Sequence, residues 1–195
     1  MWPSLAHEAS TIAAMSESLP RGFTVWLTGL SGAGKTTVAG LVSAEMESRG
    51  VLVDQLDGDA VRRHLSADLG FSKADRDENI ARISWVASRL TRAGAAVVVS
   101  AISPFAAARS AARALVEPHG AFVEVFVDAS VEVCARRDIK GLYERAFRGE
   151  LTDFTGVTAA YEAPEGPEVR LDTERETPAE SAAIVLDYLA GAGLV

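Results

Sequence analysis

The chain has 195 residues, 48% hydrophobic and 24% charged, a size and balance that allow one compact α/β domain and leave little room for two. A net charge of −8, from 19 basic and 27 acidic side chains, argues against a nucleic-acid-binding protein, which normally carries a basic face. The single cysteine, Cys134, rules out a disulfide within the chain and fits a reducing, cytoplasmic setting as a core thiol, and no apolar run is long enough to predict a transmembrane helix. An anionic small substrate stays compatible with this balance, because a few cations focused in a cleft overcome an acidic exterior.

Residues 1–21 carry His7, Glu8 and Glu17 among small residues and lack a basic start followed by an apolar block, so a tail or short helix is expected there rather than a secretory signal. One domain is expected over residues 22–195. Phe23–Thr28 is a β-prone run ending at a glycine, and Thr37–Arg49 has helical spacing up to Gly50. Val51–Leu56 predicts a second strand that ends at Asp57-Gly58-Asp59. Asp75–Ala93 reads as a long amphipathic helix with Ile80, Ile83, Val86, Ala87 and Leu90 on one stripe. Ala95–Ser100 is a continuous apolar run of the kind buried on both faces of a parallel sheet. Pro104 is expected to open a helix of Ala and Arg, capped by Ser103. Phe122–Val127 and Val169–Leu171 predict two further strands, with helices at Ser130–Arg137 and Pro178–Leu189. Residues 138–167, richer in charge, Gly and aromatics, are a candidate lid. The alternation predicts an α/β fold with a mostly parallel sheet and helices on both faces.

Gly29-Leu30-Ser31-Gly32-Ala33-Gly34-Lys35-Thr36 satisfies G-x-x-x-x-G-K-[ST] in full, between a strand and a helix. Glycines let the backbone wrap a polyphosphate with its N–H groups inward, Lys35 places a cation on the β and γ phosphates, and the Thr36 hydroxyl suits Mg²⁺. The following helix, with Thr37 in its first turn, directs its positive end at the anion. Nucleotide binding in a P-loop NTPase fold follows. Asp57 and Asp59 flank Gly58 at the carboxyl end of the second strand, where ligands collect in doubly wound sheets. Two carboxylates there can hold Mg²⁺ through water and orient or deprotonate an attacking hydroxyl; the alternative is an Asp-Gly turn with a capping aspartate. The strand Ala95–Ser100 ends in serine where a Walker-B aspartate is usual, which makes this pair the best carboxylate source. Spacing leaves open which of the two is the base.

Taken together, WLTGLSGAGKTT, LDGDAVR, LGFSKADRDENI, AISPF, RDIKGLY, DFTG and YEAPEGPE, spread from Arg21 to Leu189, resemble the adenylylsulfate kinase (APS kinase) family. The resemblance implies transfer of the γ phosphate of ATP, with Mg²⁺, to the 3′-hydroxyl of adenosine 5′-phosphosulfate (APS), giving 3′-phosphoadenosine 5′-phosphosulfate. It implies that Arg62, Arg76 and Asn79 hold the acceptor's phosphosulfate and ribose, with Lys140 and Leu142 contributing from the lid. It implies further that Phe71 and Phe154 sandwich the adenine, that Ile102 adds backbone contacts, and that Ser103 is the family's marked phosphoserine. A homodimer is implied too, with Trp85 as a contact or core residue; from the net charge and the lack of a long apolar run, no nucleic acid or membrane is expected as partner. Ala101, Ala106 and Ile139 depart from the family's usual Phe, Arg and Pro; looser acceptor packing and a freer lid hinge are expected from them. The rival readings are a same-fold kinase for another nucleotide-like acceptor and a non-catalytic ATP- and APS-binding regulator.

Overall fold

The computed structural model describes residues 22–138 and 140–195. The first strand, β1 (Phe23–Thr28), is buried at all six positions, as expected of a run with no polar face. It leads through the glycine-rich loop into α1 (Lys35–Ser48). Strand β2 (Val53–Asp57) is followed at once by α2 (Gly58–His64), and the long α3 (Lys73–Arg92) delivers the chain to β3 (Ala96–Ser100). Then come α4 (Ala106–Val116), β4 (Ala121–Asp128), α5 (Val131–Arg137), α6 (Leu142–Phe147), β5 (Val169–Asp172) and α7 (Pro178–Gly191).

Among the described residues the sheet has five strands, all parallel, in the order β2-β3-β1-β4-β5. The expected elements are therefore present, with ends displaced by one or two residues. A parallel sheet needs cover on both faces, and two apolar clusters supply it. One gathers Val25, Leu27, Val38, Val42, Met46, Val185 and Leu189 beneath α1 and α7. The other gathers Trp26, Val97, Val99, Ile80, Ile83 and Ala112 beneath α3 and α4. Ala101 belongs to this second cluster, and Cys134 is a fully buried thiol in the first, its pKa pushed up by burial. Trp85 lies outside both, 60% exposed.

Two expectations need correction. Pro104 does not open α4, which starts at Ala106 after Phe105. Nor does Ser103 cap it: the Ala106 N–H is bonded by the Glu162 carboxylate at 2.7 Å, and the Ser103 hydroxyl turns inward. The reason is backbone direction, since Ser103 has φ +40°, a left-handed conformation uncommon for a residue with a Cβ. Two expectations fall on residues outside the described set: the tail at residues 1–21 and the hinge effect of Ile139.

Candidate active site at the carboxyl ends of the strands

The loop after β1 is shaped by residues with no side chain to obstruct it. A Cβ on Gly29 would lie 2.4 Å from the Val127 carbonyl oxygen, and Gly34 takes φ +107° as the residue before α1. What distinguishes α1 is how it begins. Asp57, Ser72, Ser130 and Thr177 cap α2, α3, α5 and α7 by side-chain bonds. Asp138 does so for α6, and Glu162 for α4. Among the described residues no side chain accepts from the start of α1, and its first turn carries no acidic residue. Its leading N–H groups, with Lys35, Thr36 and Thr37 in that turn, are left for an anion.

Lys35 is buried beneath this loop, its ammonium donating to the Gly29 and Leu30 carbonyls at 2.9 and 2.7 Å. Burial is the largest influence on it and lowers its pKa to about 8. Thr36 donates to Asp57 Oδ2 at 2.9 Å, and Ser100 donates to the same oxygen at 3.0 Å. Asp57 Oδ1 accepts the N–H groups of Asp59 and Ala60 at 3.0 and 3.2 Å. Partial burial works to raise the Asp57 pKa, but the bonds from Thr36, Ala60, Ser100 and Asp59 outweigh it and hold it below the ordinary carboxylate value. Capping and site-building thus use different oxygens of one carboxylate. Strand register explains the missing Walker-B aspartate. Asp57 and Ser100 are paired neighbours on β2 and β3, so the carboxylate sits one strand over and Ser100 supplies a hydroxyl to it.

Asp59 faces outward from α2 and pairs with Lys140, which lies just before α6. Arg62 donates to the Gly70 carbonyl at 3.0 Å and lies 4.5 Å over the ring of Phe71. Phe71 itself is 62% exposed, so it is not a core residue. Arg76 bonds the Phe71 carbonyl at 2.7 Å and reaches the Asp153 carbonyl and Thr155 hydroxyl, tying the segments that carry Phe71 and Phe154 to one guanidinium. Asn79 is buried on α3, with its side-chain oxygen lacking a partner among the described residues. The Ile102 carbonyl accepts from Thr28 at 2.7 Å. The Leu142 N–H is held by Asp138 at 2.8 Å. Ser103 is 1% exposed; its hydroxyl accepts from Trp26 at 3.1 Å and donates to Thr28 at 2.9 Å, inside the protein.

Sequence reasoning passed over several residues that hold the site. Arg137 bonds the Gly32 and Ala33 carbonyls at 3.3 Å from behind the loop, and Thr173 donates to Ala33 at 2.8 Å. Tyr143 donates to the Ser31 carbonyl at 2.8 Å. Tyr161 shares a hydrogen bond with Thr28 at 3.0 Å, and Arg109, 4% exposed, joins Ser103, Glu124 and Glu162. Three of these lie in the strings RDIKGLY and YEAPEGPE, which was the available signal.

Thr36, Asp57 and Ser100 form a set of hydroxyl and carboxylate oxygens suited to a hard cation such as Mg²⁺. Among the described residues no group of three or more His, Cys, Asp or Glu side chains forms a metal cage. Mg²⁺ is commonly held by few protein oxygens together with substrate phosphates, so the two observations agree.

Comparison with known proteins fits this geometry. The family model for adenylylsulphate kinase matches residues 21–172. The adenylyl-sulfate kinase of Halothermothrix orenii is 50% identical over 90% of this chain and 93% of its own. That of a Synechococcus strain is 52% identical over 90% of this chain and 98% of its own. Among solved structures, the Mycobacterium tuberculosis APS kinase CysC in complex with AMPPNP and APS superposes with a TM-score of 0.85 at 47% identity, over 88% of this chain and 99% of that one. A loop that leaves a helix terminus free for phosphate, a carboxylate tied to its threonine and likeness over nearly the whole chain converge: the chain belongs to the adenylylsulphate kinase family, P-loop enzymes that phosphorylate APS with ATP.

Proposed function

We propose that the chain transfers the γ phosphate of ATP directly to the APS 3′-hydroxyl, with Asp59 as the base and Asp57 on the metal side. The observation that carries this division is the occupancy of Asp57. Its two oxygens already accept from Thr36, Ser100 and two backbone N–H groups, whereas the Asp59 side chain, 58% exposed, has the lid's Lys140 as its partner. Lys35 and the free N–H groups of α1 bind the β and γ phosphates and offset charge on the group in transfer. Thr36 and, through water, Asp57 would hold Mg²⁺, which would supply charge neutralisation at those phosphates. Arg76 and Lys140 exchange their protein partners for acceptor oxygens, Arg62 and Asn79 complete that set, and Phe71 and Phe154 flank the adenine. Asp59 takes the hydroxyl proton as the oxygen attacks phosphorus and the bond to the ADP oxygen breaks. Ser103 is a buttress in this scheme, because its hydroxyl is buried between Trp26 and Thr28.

The test is steady-state turnover with MgATP and APS for the native chain and Asp59→Asn. A loss of about 10²–10⁴ in kcat is expected for the variant, the usual worth of a positioned base; unchanged turnover would assign the base elsewhere. The same reading takes a homodimer as the working unit, with exposed Trp85 as an apolar contact. Sedimentation showing only monomer at assay concentration would remove that part.

A further inference from the structure

One side chain touches both halves of the site. The Tyr143 hydroxyl donates to the Ser31 carbonyl of the phosphate loop at 2.8 Å, and its ring meets Phe154 edge to face at a centroid separation of 4.9 Å. Tyr143 is 1% exposed, and its helix is held in place by Asp138, which accepts the N–H groups of Leu142, Tyr143 and Glu144 at 2.8, 3.1 and 3.1 Å. Burial, then the neighbouring Cys134, raises its pKa well above the ordinary phenol value, so it remains a donor throughout the working pH range. In a planar trans peptide the N–H points opposite to the preceding C=O. Fixing the Ser31 carbonyl toward Tyr143 therefore fixes the Gly32 N–H in the opposite direction, away from the lid helix. That N–H is one of the loop donors on which phosphate binding depends.

We propose that Tyr143 is a positioning residue that couples the acceptor site to the donor site. A purine settled against Phe154 holds the Phe154–Tyr143 edge contact, which in turn steadies the Tyr143–Ser31 bond and the loop donor behind it. A ring this fully buried transmits such a constraint, and the coupling is reciprocal: each substrate tightens the other. The inference rests on the reading of Phe154 as an acceptor-contacting ring.

Calorimetric titration of AMPPNP with and without saturating APS measures the coupling as a ratio of dissociation constants. The native chain is expected to show a ratio of at least about five. Tyr143→Phe keeps the ring and deletes the donor, and is expected to cut the ratio by about three-fold or more. Phe147→Ala is the control for general loosening, since Phe147 packs on Tyr143 at 6.3 Å between centroids. A native ratio near one, an unchanged ratio in Tyr143→Phe, or an equal fall in Phe147→Ala overturns the proposal. Phe154→Leu separates the acceptor contact from the coupling. If it leaves APS affinity unchanged, the acceptor role of Phe154 fails and the coupling with it. If it weakens APS while Tyr143→Phe keeps the native ratio, the coupling alone fails. Should Tyr143→Phe not fold, the ratio in Phe154→Leu decides: a fall supports the link and a native ratio overturns it.

Discussion

Lys35 carries its charge in a place that penalises it. Buried under the loop, it is held by two carbonyls and keeps a pKa lowered to about 8 from 10.5. Polyphosphate binding needs the ammonium form, so raising pH through 8 removes the binding-competent state of the free protein. AMPPNP affinity is expected to be level below pH 8 and to fall above it, approaching about ten-fold per unit. Lys35→Arg, charged at every pH tested, should flatten the profile, and a flat native profile would show that the lysine does not control binding. Stability runs the other way: the unfolded chain binds the extra proton between pH 8 and 10.5, so the Lys35 contribution to stability rises with pH across that window. The loop residues were legible because their chemistry is local, eight consecutive positions whose backbone needs can be read from their identities. Ser103 was not. Its inward turn depends on φ +40° and on Trp26 and Thr28, partners more than seventy positions away.

Strands were legible as apolar runs because a parallel strand buried on both sides has little choice of residue, and β3 is the plainest case. Helix α4 was harder to read. Its Arg-rich sequence suggests solvated charge, yet Arg109 lies on the stripe with Ala112 and Val116, 4% exposed. From there it bonds Glu124 on β4 at 2.8 Å, Ser103 after β3 at 2.8 Å and Glu162 between α6 and β5 at 2.8 Å. Nothing in residue spacing announces a buried ion pair whose partner lies on another strand. Arg109→Met keeps much of the bulk but leaves Glu124 with Arg113, 4.0 Å away, as its remaining cation, the Glu162 carbonyl without this donor and the Ser103 carbonyl with only a long bond from Thr28 at 3.4 Å. A loss of about 3 kcal/mol is expected, read from the urea midpoint, because removing one partner of a largely buried pair leaves the other charge poorly compensated. The KM for APS should rise alongside, since Arg109 fixes the loop that carries Ile102. A variant within about 0.5 kcal/mol of native stability would show the network to be dispensable.

No single element of the molecule contains the site. The order β2-β3-β1-β4-β5 brings Asp57, Ser100, the phosphate loop and Thr173 to one end of the sheet, and the segment between α5 and β5 reaches the loop through Tyr143 and α3 through Arg76. Such convergence is unreadable from any one segment, and only the ordered set of strings along the chain pointed to it. It has a thermodynamic consequence. A ligand bound across these strand ends meets its donors together only in the folded protein, so binding and folding are linked through RT ln(1 + [L]/Kd). At about a hundred-fold excess over Kd, AMPPNP should add about 2.7 kcal/mol. For a chain of this size that corresponds to a rise in Tm of about 5–10 °C in a thermal melt. Lys35→Ala should show little of this rise at the same concentration, because the cation beneath the loop is gone while the sheet is intact. An equal rise in the variant would mean that the nucleotide binds elsewhere than at the loop after β1.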